Sequence, residues 1–327
     1  MAASKKINRR TMLQLGLGVT AGTVSSGLSH LHAKPDSCNL SPEQIMGPFY
    51  PIHEQDDKDL DLTRLKGHTE RAKGEVIWVR GKILDEDCNP VSGVFIEIWQ
   101  ANAAGRYSHE KDKNPAPLDP NFQSWGQTVT DDKGNYGFKT IKPGPYALKF
   151  LDDGEADEDA GYRTPHIHFK ISQRGYHELV TQCYFPGEPL NEVDGPLQDF
   201  SAEDQAKLTV IPQPGKKNVF QFNLSLKKVQ STTMDSDTLE SYVGKYKIKI
   251  KKTERTYIVT RDGHQLYVEI DEYFPKVEIR PLSNGRFSFS SRSFGKEISF
   301  NTGKAGKVKS LTIHQKEEDD LQGKKIG

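Results

Sequence analysis

Two histidines lie two residues apart in a run that has the composition of a β-strand. His166 and His168 are separated by Ile167 and followed by Phe169 and Ile171, and β-branched and aromatic residues favour strands. Side chains at positions i and i+2 of a strand point to the same side. The pair could therefore bind one metal ion. Alone, it could equally be a polar strand face or two hydrogen-bonded core histidines.

Two tyrosines upstream of the histidines favour the interpretation of the pair as metal ligands. Tyr107 lies in a loop rich in Asn and Pro, and Tyr146 follows Pro143-Gly144-Pro145. A single loop tyrosine is usually an amphipathic packing residue. A phenol has a pKa of about 10 and ionises readily only beside a strongly Lewis-acidic cation. Two phenols added to two imidazoles therefore predict an Fe(III) centre, which would activate an electron-rich organic substrate.

These residues and their surroundings resemble the intradiol ring-cleavage dioxygenases, most closely the iron-binding (beta) subunits of the protocatechuate 3,4-dioxygenases. The resemblance spans about residues 45–225, and the matching stretches are Trp99–Tyr107, Ala116–Phe122, Thr140–Tyr146, Arg163–Phe169 and Thr181–Phe185. It implies that Fe(III) is the cofactor and that its ligands are Tyr107, Tyr146, His166 and His168. It also implies that Tyr146 is the axial ligand, which leaves the iron when substrate binds, and that Arg163 and Gln182 lie beside the substrate.

The reaction that the resemblance implies uses a small aromatic diol and O₂ as partners. The ring would open between the two hydroxylated carbons and give a cis,cis-muconate type diacid. Two departures from the family leave the identity of the diol open. Ala147-Leu148 follows Tyr146 where the most similar members carry Pro-Trp, and an acidic insertion occupies residues 152–159. We interpret that insertion as a solvated loop rather than as a second cation site.

The composition predicts an all-β protein. Short β-branched runs alternate with Gly, Pro, Asn and Asp turns, and no long helical pattern occurs. Residues 35–228 are predicted to form an antiparallel β-sandwich with long loops. Its predicted strands are Val76–Leu84, Val94–Gln100, Tyr136–Ile141, His166–Ile171, Leu179–Phe185 and Asn218–Leu226. The formal net charge is +0, so no basic surface indicates a nucleic-acid partner.

A second β domain is predicted after a polar linker at residues 229–236. Residues 237–327 contain several short strands joined by Asp262-Gly263 and Asn284-Gly285 turns, which are typical of hairpins. This pattern predicts a small up-and-down barrel or meander. The phrase Leu239–Tyr246 resembles the small lipocalin-like domains appended to secreted hydrolases. No cluster of Cys, His and acidic residues occurs there, so the role of this domain stays open.

The first 34 residues have the pattern of an export signal. Arg9-Arg10 precedes a mildly apolar stretch of small residues, which resembles a twin-arginine signal; the alternative is a disordered basic tail. We therefore expect export to the periplasm or the exterior, without stable membrane insertion. An oxidising destination would permit one disulfide, for which Cys38 and Cys88 are candidates, whereas Cys183 is expected to be a buried thiol.

Two other functions compete with the dioxygenase. A non-catalytic, prealbumin-like sandwich that binds carbohydrate or protein would share the strand and turn pattern. A degenerate enzyme would bind iron without turnover. The set of two tyrosines, two histidines and Arg163 favours the enzyme. The oligomeric state stays open, and a homo-oligomer is compatible with the sequence.

Overall fold

The computed structural model describes most of the chain after the predicted export signal. It describes residues 38–327 except residues 54, 56, 152–153, 158–159, 231–233, 271–273, 292–296, 304–305 and 316–318. The export signal lies outside the described residues, and so do parts of the acidic insertion and of the predicted linker. The helices among the described residues are short, and none of them could cross a bilayer.

The first part of the described chain contains eleven strands in sequence. They are β1 (Val76–Asp85), β2 (Phe95–Trp99), β3 (Trp125–Val129), β4 (Asn135–Ile141), β5 (Tyr146–Ala147), β6 (Tyr162–Arg163), β7 (His166–Ser172), β8 (Leu179–Tyr184), β9 (Ile211–Pro212), β10 (Val219–Gln221) and β11 (Leu224–Leu226). Two short helices, α1 (Gly195–Gln198) and α2 (Ala202–Leu208), lie between β8 and β9. The predicted strand Asn218–Leu226 is divided in two, because β10 and β11 pair with successive parts of β1.

Two sheets pack face to face in this part. One sheet is built around β1, which pairs with β4, β10 and β11; the other is antiparallel, in the order β3-β2-β7-β8. Alternate apolar side chains of both sheets form one buried core, for example Ile77, Val79, Ile98, Ile167 and Phe169. The predicted sandwich is confirmed, with one difference from a fully antiparallel arrangement: β10 and β11 pair with β1 in parallel. Because the inward residues of β7 alternate with His166 and His168, the histidines lie on its other face.

The C-terminal part is a closed eight-stranded barrel. It follows the helix α3 (Ser236–Tyr242), so the last residue of the predicted linker is already helical. Its strands are β12 (Gly244–Ile250), β13 (Thr253–Asp262), β14 (Gln265–Ile270), β15 (Phe274–Pro281), β16 (Phe287–Phe289), β17 (Glu297–Thr302), β18 (Val308–His314) and β19 (Leu321–Lys325). Pairing of β19 with both β12 and β18 closes the barrel. Buried apolar side chains such as Tyr246, Ile248 and Leu311 fill it.

The barrel contacts the sandwich through a buried charged cluster. Glu278 of β15 accepts hydrogen bonds from His177 (2.8 Å) and from the backbone N–H of Glu178 (2.8 Å). Arg280 donates to Glu278 (3.0 Å). Burial alone would raise the pKa of Glu278, but the hydrogen bond from His177 and the charge of Arg280 hold it below its ordinary value. The cluster therefore keeps a buried carboxylate ionised.

The cysteines are arranged as the sequence suggested, with one disulfide and one buried thiol. Cys38 and Cys88 form a disulfide (S–S 2.01 Å), which ties the start of the described chain to the turn after β1. Cys183 is a buried free thiol on the inward face of β8. The barrel and the all-β class are likewise as predicted, whereas the boundaries proposed for the separate domains remain predictions.

Candidate metal centre and active site

Three side-chain atoms converge on one point beside β7. His166 Nε2 lies 3.2 Å from His168 Nε2 and 3.3 Å from Tyr107 Oη, and His168 Nε2 lies 3.1 Å from Tyr107 Oη. Atoms bound about 2.0–2.1 Å from one ion lie roughly 3 Å apart. The three side chains are almost completely buried. The spacing is therefore that of ligands around a single ion.

Both imidazoles are held neutral, as a metal ligand requires. The Nδ1 of His166 lies 2.7 Å from the carbonyl oxygen of Thr164; since a carbonyl only accepts, Nδ1 carries the proton and the Nε2 lone pair faces the site. Burial holds the pKa of both His166 and His168 well below its ordinary value, and the charge of Arg163 lowers it further. Neither ring needs to lose a proton before it binds a cation.

Polar side chains of the long loop between β2 and β3 fix Tyr107. Asp112 accepts a hydrogen bond from the backbone N–H of Tyr107 (2.7 Å), and the amide of Asn114 donates to the carbonyl of Gly105 (2.9 Å). Gly105 has φ +80°, and a Cβ there would lie 2.2 Å from the carbonyl oxygen of Pro145. Only glycine permits this approach. The Tyr107 loop is thereby packed directly against the segment that carries Tyr146.

Tyr146 lies on β5, and Arg163 lies directly opposite it on β6. The ring of Tyr146 meets that of Tyr107 edge-on, with centroids 5.6 Å apart. Burial raises the pKa of Tyr107 well above its ordinary value, and the neighbouring Tyr146 raises it further. Burial also raises the pKa of Tyr146, although the charge of Arg163 opposes that shift.

The chemistry of these donors fits ferric iron. Two neutral imidazoles supply nitrogen ligands, and two buried phenols become good ligands once a strongly Lewis-acidic cation displaces their protons. Without a cation, burial keeps both phenols protonated. Among the described residues, no group of three or more His, Cys, Asp and Glu side chains is arranged to hold a metal ion. Tyr107, Tyr146, His166 and His168 are the side chains that would hold iron here.

Arg163 is fixed beside the donors by three residues from two other segments. Its Nε donates to Asp194 (2.9 Å), and its Nη2 donates to Gln182 (2.7 Å) and, more weakly, to Tyr184 (3.4 Å). Burial would lower the pKa of Arg163, but the oxygens of Tyr146, Tyr184 and Asp194 raise it above its ordinary value. A permanent positive charge is therefore held within a dry site.

Gln182 has a defined orientation in this network. Its Oε1 accepts from Arg163 and from the Tyr184 hydroxyl (2.9 Å), so its Nε2 must donate in the other direction, to the carbonyl of Ile45 (2.7 Å). Gln182 lies opposite His168 in the β7–β8 ladder. The amide therefore links Arg163, the strand of the histidines and the segment around Ile45.

Aromatic rings enclose the donors on two further sides. Trp99 lies opposite His168 in the β2–β7 ladder and stacks on its ring, with centroids 4.7 Å apart and an interplanar angle of 8°. Phe49 packs on Tyr107, with centroids 4.7 Å apart. These contacts restrict ring rotation and exclude water, which strengthens electrostatic interactions inside the site.

A cavity of about 360 Å³ opens beside Tyr146. Most of its wall is apolar; the lining residues are Ala104, Asn114, Pro145, Tyr146, Ala147, Phe150, Ala156, Tyr162 and Leu190. Ala147, one of the two departures from the family pattern, is therefore part of this wall, whereas Leu148 is exposed. In the acidic insertion, Asp157 pairs with Lys149 at the surface (2.6 Å). The cavity has the size and polarity of a small-molecule site.

All six residues singled out in the sequence lie together. Tyr107, Tyr146, His166 and His168 converge, and Arg163 and Gln182 lie beside them; their roles in binding and catalysis remain proposals. Sequence reasoning missed Asp194, which is fully buried and also accepts from the Thr164 N–H (2.9 Å). Its position before Gly195-Pro196, as the N-cap of α1, is the signal that could have drawn attention to it. It also missed Tyr184 and Trp99.

Comparison with known proteins supports the same interpretation. A family model described as "Dioxygenase" matches residues 45–226, which is more than half of the chain. The chain belongs to the intradiol dioxygenase family. The dioxygenase match ends at the last strand of the sandwich, so the barrel lies outside it.

Relatives of this chain are named for several diols. The chain is 41% identical over 156 residues to the protocatechuate 3,4-dioxygenase beta chain of Burkholderia cepacia. The aligned region covers 46% of this chain and 63% of that protein. The chain is 39% identical over 159 residues to catechol 1,2-dioxygenase of Candida albicans, covering 46% and 48%. It is 34% identical over 172 residues to hydroxyquinol 1,2-dioxygenase of a Rhizobium species, covering 50% and 53%. The chain thus spans about half to two thirds of the length of these relatives.

Proposed function

We propose that the protein is an exported, non-haem Fe(III) intradiol dioxygenase that opens the ring of a catechol. Both atoms of O₂ would enter the product, and the ring would open between the two hydroxylated carbons to give a cis,cis-muconate type diacid. The balance requires no external reductant, because the diol supplies all the electrons that O₂ accepts. The relatives named for catechol-type substrates support this class of reaction.

One observation carries the proposal. Two imidazole nitrogens and a phenol oxygen converge within 3.1–3.3 Å, a second phenol adjoins them, and a buried arginine lies beside them. A sandwich that only binds carbohydrate or protein needs no such arrangement. Burying this many polar groups is unfavourable unless they are paired or bind a cation. The non-catalytic alternative therefore accounts for the fold but not for the site.

The side chains have distinct parts in the proposed reaction. Ferric iron held by Tyr107, Tyr146, His166 and His168 would supply Lewis-acid chemistry that activates a bound diol toward O₂. Tyr146 lines the cavity, and as the phenolate it would become on binding iron it would accept a proton from one diol hydroxyl. Arg163, fixed by Asp194 and Gln182, would stabilise the negative charge that develops on the ring. Trp99 and Phe49 would exclude water.

The cavity beside Tyr146 supports a substrate without a charged ring substituent. None of the described residues that line it is charged, and a carboxylate needs a paired cation when it is taken out of water. Catechol or hydroxyquinol should therefore be preferred over protocatechuate. Export is supported by the N-terminal signal pattern and by the Cys38–Cys88 disulfide, which suits an oxidising compartment.

The test combines colour, metal content and oxygen uptake. Full-length protein loaded with Fe(III) should be burgundy to red through charge transfer from tyrosinate to iron, and the colour should shift on addition of catechol. Oxygen uptake should be faster with catechol or hydroxyquinol than with protocatechuate. Colourless protein that nevertheless contains one iron would refute the ligand assignment. Coloured protein that takes up no oxygen with catechol, hydroxyquinol or protocatechuate would refute the proposed activity and support the alternative of an enzyme that binds iron without turnover.

Tyrosine variants supply the matched comparison. Tyr107→Phe removes one of the two proposed ligand oxygens of tyrosine and keeps the ring, so the visible band should weaken and shift. Tyr267→Phe makes the same change on the barrel, where Tyr267 lies under Lys276 (4.3 Å to the ring centroid) and outside the site. The second variant should keep the colour and the activity. Equal bands in both variants would show that Tyr107 is not a ligand.

A further inference from the structure

The segment Pro42–Tyr50, called here the 42–50 segment, lies against the candidate metal site. The carbonyl of Ile45 accepts the hydrogen bond from Gln182 Nε2 (2.7 Å) and also contacts the His168 ring. A Cβ on Gly47 would lie 3.3 Å from His168 Cε1, and the Phe49 ring packs against that of Tyr107. Three residues of one segment thus contact two proposed ligands and Gln182.

The 42–50 segment contains no strand or helix, so its position depends on contacts with its neighbours. On the sandwich side, the N–H of Gln44 donates to the carbonyl of Val180 (2.8 Å), and the Thr181 hydroxyl donates to the carbonyl of Pro42 (2.8 Å). Met46 is completely buried. The middle of the segment is therefore enclosed, although it lacks the repeated backbone pairing of a strand.

The side chains of Gln44 and Tyr50 also contact the sandwich, at Tyr184 and Glu97. Further contacts to the segment come from the barrel. The Nη1 of Arg280 pairs with the Glu43 carboxylate, and the Ser291 hydroxyl accepts from the N–H of Met46 (3.2 Å). Burial raises the pKa of Glu43, although the nearby Arg280 charge opposes that shift. The pair is partly buried, so its loss would leave two partly desolvated charges without each other. The barrel therefore holds the segment on both sides of Ile45, at residues 43 and 46.

Arg280 is itself rigidly held. Its Nε donates to Glu278, and its Nη2 donates to the backbone carbonyl of Glu178, at the start of the ladder that contains Gln182. The Ser290 hydroxyl donates to Glu178 Oε1 (2.9 Å). One guanidinium therefore joins the barrel, the 42–50 segment and the chain that leads into β8.

The barrel covers the same face of the sheet that carries the site. On β8, Val180 packs with barrel residues, and Gln182, two residues later, reaches Arg163. On β7, Lys170 donates to the carbonyl of Lys276 in the barrel (2.9 Å), two residues after His168. Residues two apart share a face. Displacement of the barrel therefore changes the support of both strands near the site.

We propose that the C-terminal barrel is a positioning element of the metal site. Arg280 and Ser291 are positioning residues: they hold the 42–50 segment so that the Ile45 carbonyl orients Gln182 and Gly47 packs against His168. The catalytic consequence rests on the proposed dioxygenase function, whereas the mechanical coupling does not. The barrel interior is filled by its own side chains, which agrees with a role for its outer surface.

The test compares two arginine variants of the full-length protein. Arg280→Ala removes the contact with Glu43, whereas Arg286→Ala removes an ion pair to Glu297 that lies within the barrel (2.9 Å). Hydrogen exchange of the Met46 amide should accelerate at least about tenfold in Arg280→Ala and stay unchanged in Arg286→Ala. In the iron-loaded protein, only Arg280→Ala should shift the visible band and lower kcat by about tenfold, with a smaller change in KM.

Two further variants separate positioning from general damage. Arg280→Lys keeps the charge and should restore part of kcat and the band position. Ser291→Ala removes one hydroxyl and leaves the charged cluster intact, so it keeps the comparison possible if Arg280→Ala does not fold; it too should accelerate Met46 exchange. Unchanged exchange and an unchanged band in folded Arg280→Ala and Ser291→Ala would overturn the proposal. If the iron-loaded wild type is colourless and inactive, the proposed dioxygenase function is refuted. Faster exchange of the Met46 amide in the Arg280 and Ser291 variants would still establish that the barrel positions the 42–50 segment.

Discussion

The contact between Gly105 and Pro145 predicts that one methyl group should disturb both proposed tyrosine ligands. Gly105→Ala places a Cβ 2.2 Å from the Pro145 carbonyl oxygen, whereas carbon and oxygen in ordinary contact are about 3.4 Å apart. The two segments must therefore separate by about 1 Å. Tyr107 and Tyr146 lie two residues and one residue from this contact, so the shift should reach their rings.

The size of the effect has two parts. A left-handed backbone conformation costs a residue with a Cβ about 1–2 kcal/mol. A displacement of about 1 Å at a reacting group can reduce the rate about 100-fold, which corresponds to about 2.7 kcal/mol of transition-state stabilisation. Gly215→Ala is the matched control, because Gly215 has φ +73° and a Cβ there would meet nothing within 4 Å. Gly215→Ala should show only the backbone cost of about 1–2 kcal/mol and no loss of rate.

The assay measures urea unfolding, the visible band and oxygen uptake on the same iron-loaded preparations. Both variants should lose about 1–2 kcal/mol of unfolding free energy from the backbone conformation. Only Gly105→Ala should also bleach or shift the band and lose about 100-fold in kcat. If the two variants behave alike in all three measurements, the packing of the two tyrosine segments does not set the geometry of the site.

Three other predictions concern the surroundings of the site. Asp194→Asn leaves Arg163 buried without its charged partner, so unfolding free energy should fall by about 3–5 kcal/mol and oxygen uptake should drop; wild-type stability in urea would contradict the pairing. Replacing Cys38 and Cys88 by Ser opens a link across 50 residues and should cost about 2–4 kcal/mol by denaturant titration, with no loss expected if the bond is absent in the purified protein. The pKa of Glu278 is lower in the folded protein than its ordinary value of 4.5. The ionised carboxylate therefore stabilises the fold fully at pH values above 4.5, and this stabilisation is lost as the pH falls through the folded-state pKa. Glu278→Gln should therefore flatten the acid side of a plot of Tm against pH, and an unchanged slope would exclude this role.

The sequence predicted the parts of the fold in which hydrophobic alternation is strong. The strands Tyr136–Ile141 and His166–Ile171 were predicted because apolar residues recur at alternate positions there. Trp125–Val129 was missed, since Gly126 and polar residues interrupt the pattern. Leu321–Lys325 was also missed, because its charged and glycine residues give little signal until pairing with its neighbours closes the barrel.

The candidate site was predictable to a similar degree. Residue types and the family resemblance located the donors and Arg163, because their chemistry is unusual in combination. Asp194 was missed because its role depends on a helix that begins beside Arg163 in space but 31 positions later in the chain. The 42–50 segment was assigned as loop, which is correct locally. Its contacts with the barrel could not be inferred, since they join residues more than 230 positions apart.

The alternation along β8 has a consequence for how this chain can change in length. Glu178, Val180 and Gln182 share one face, and deletion of a single residue between them would turn one end of the strand over relative to the other. Either the barrel contact or the link to Arg163 would then point into the sandwich core, where Leu179 and Cys183 now lie. The strand therefore tolerates substitutions far better than insertions or deletions. The barrel contact and the link to Arg163 therefore depend on one register of side chains along β8.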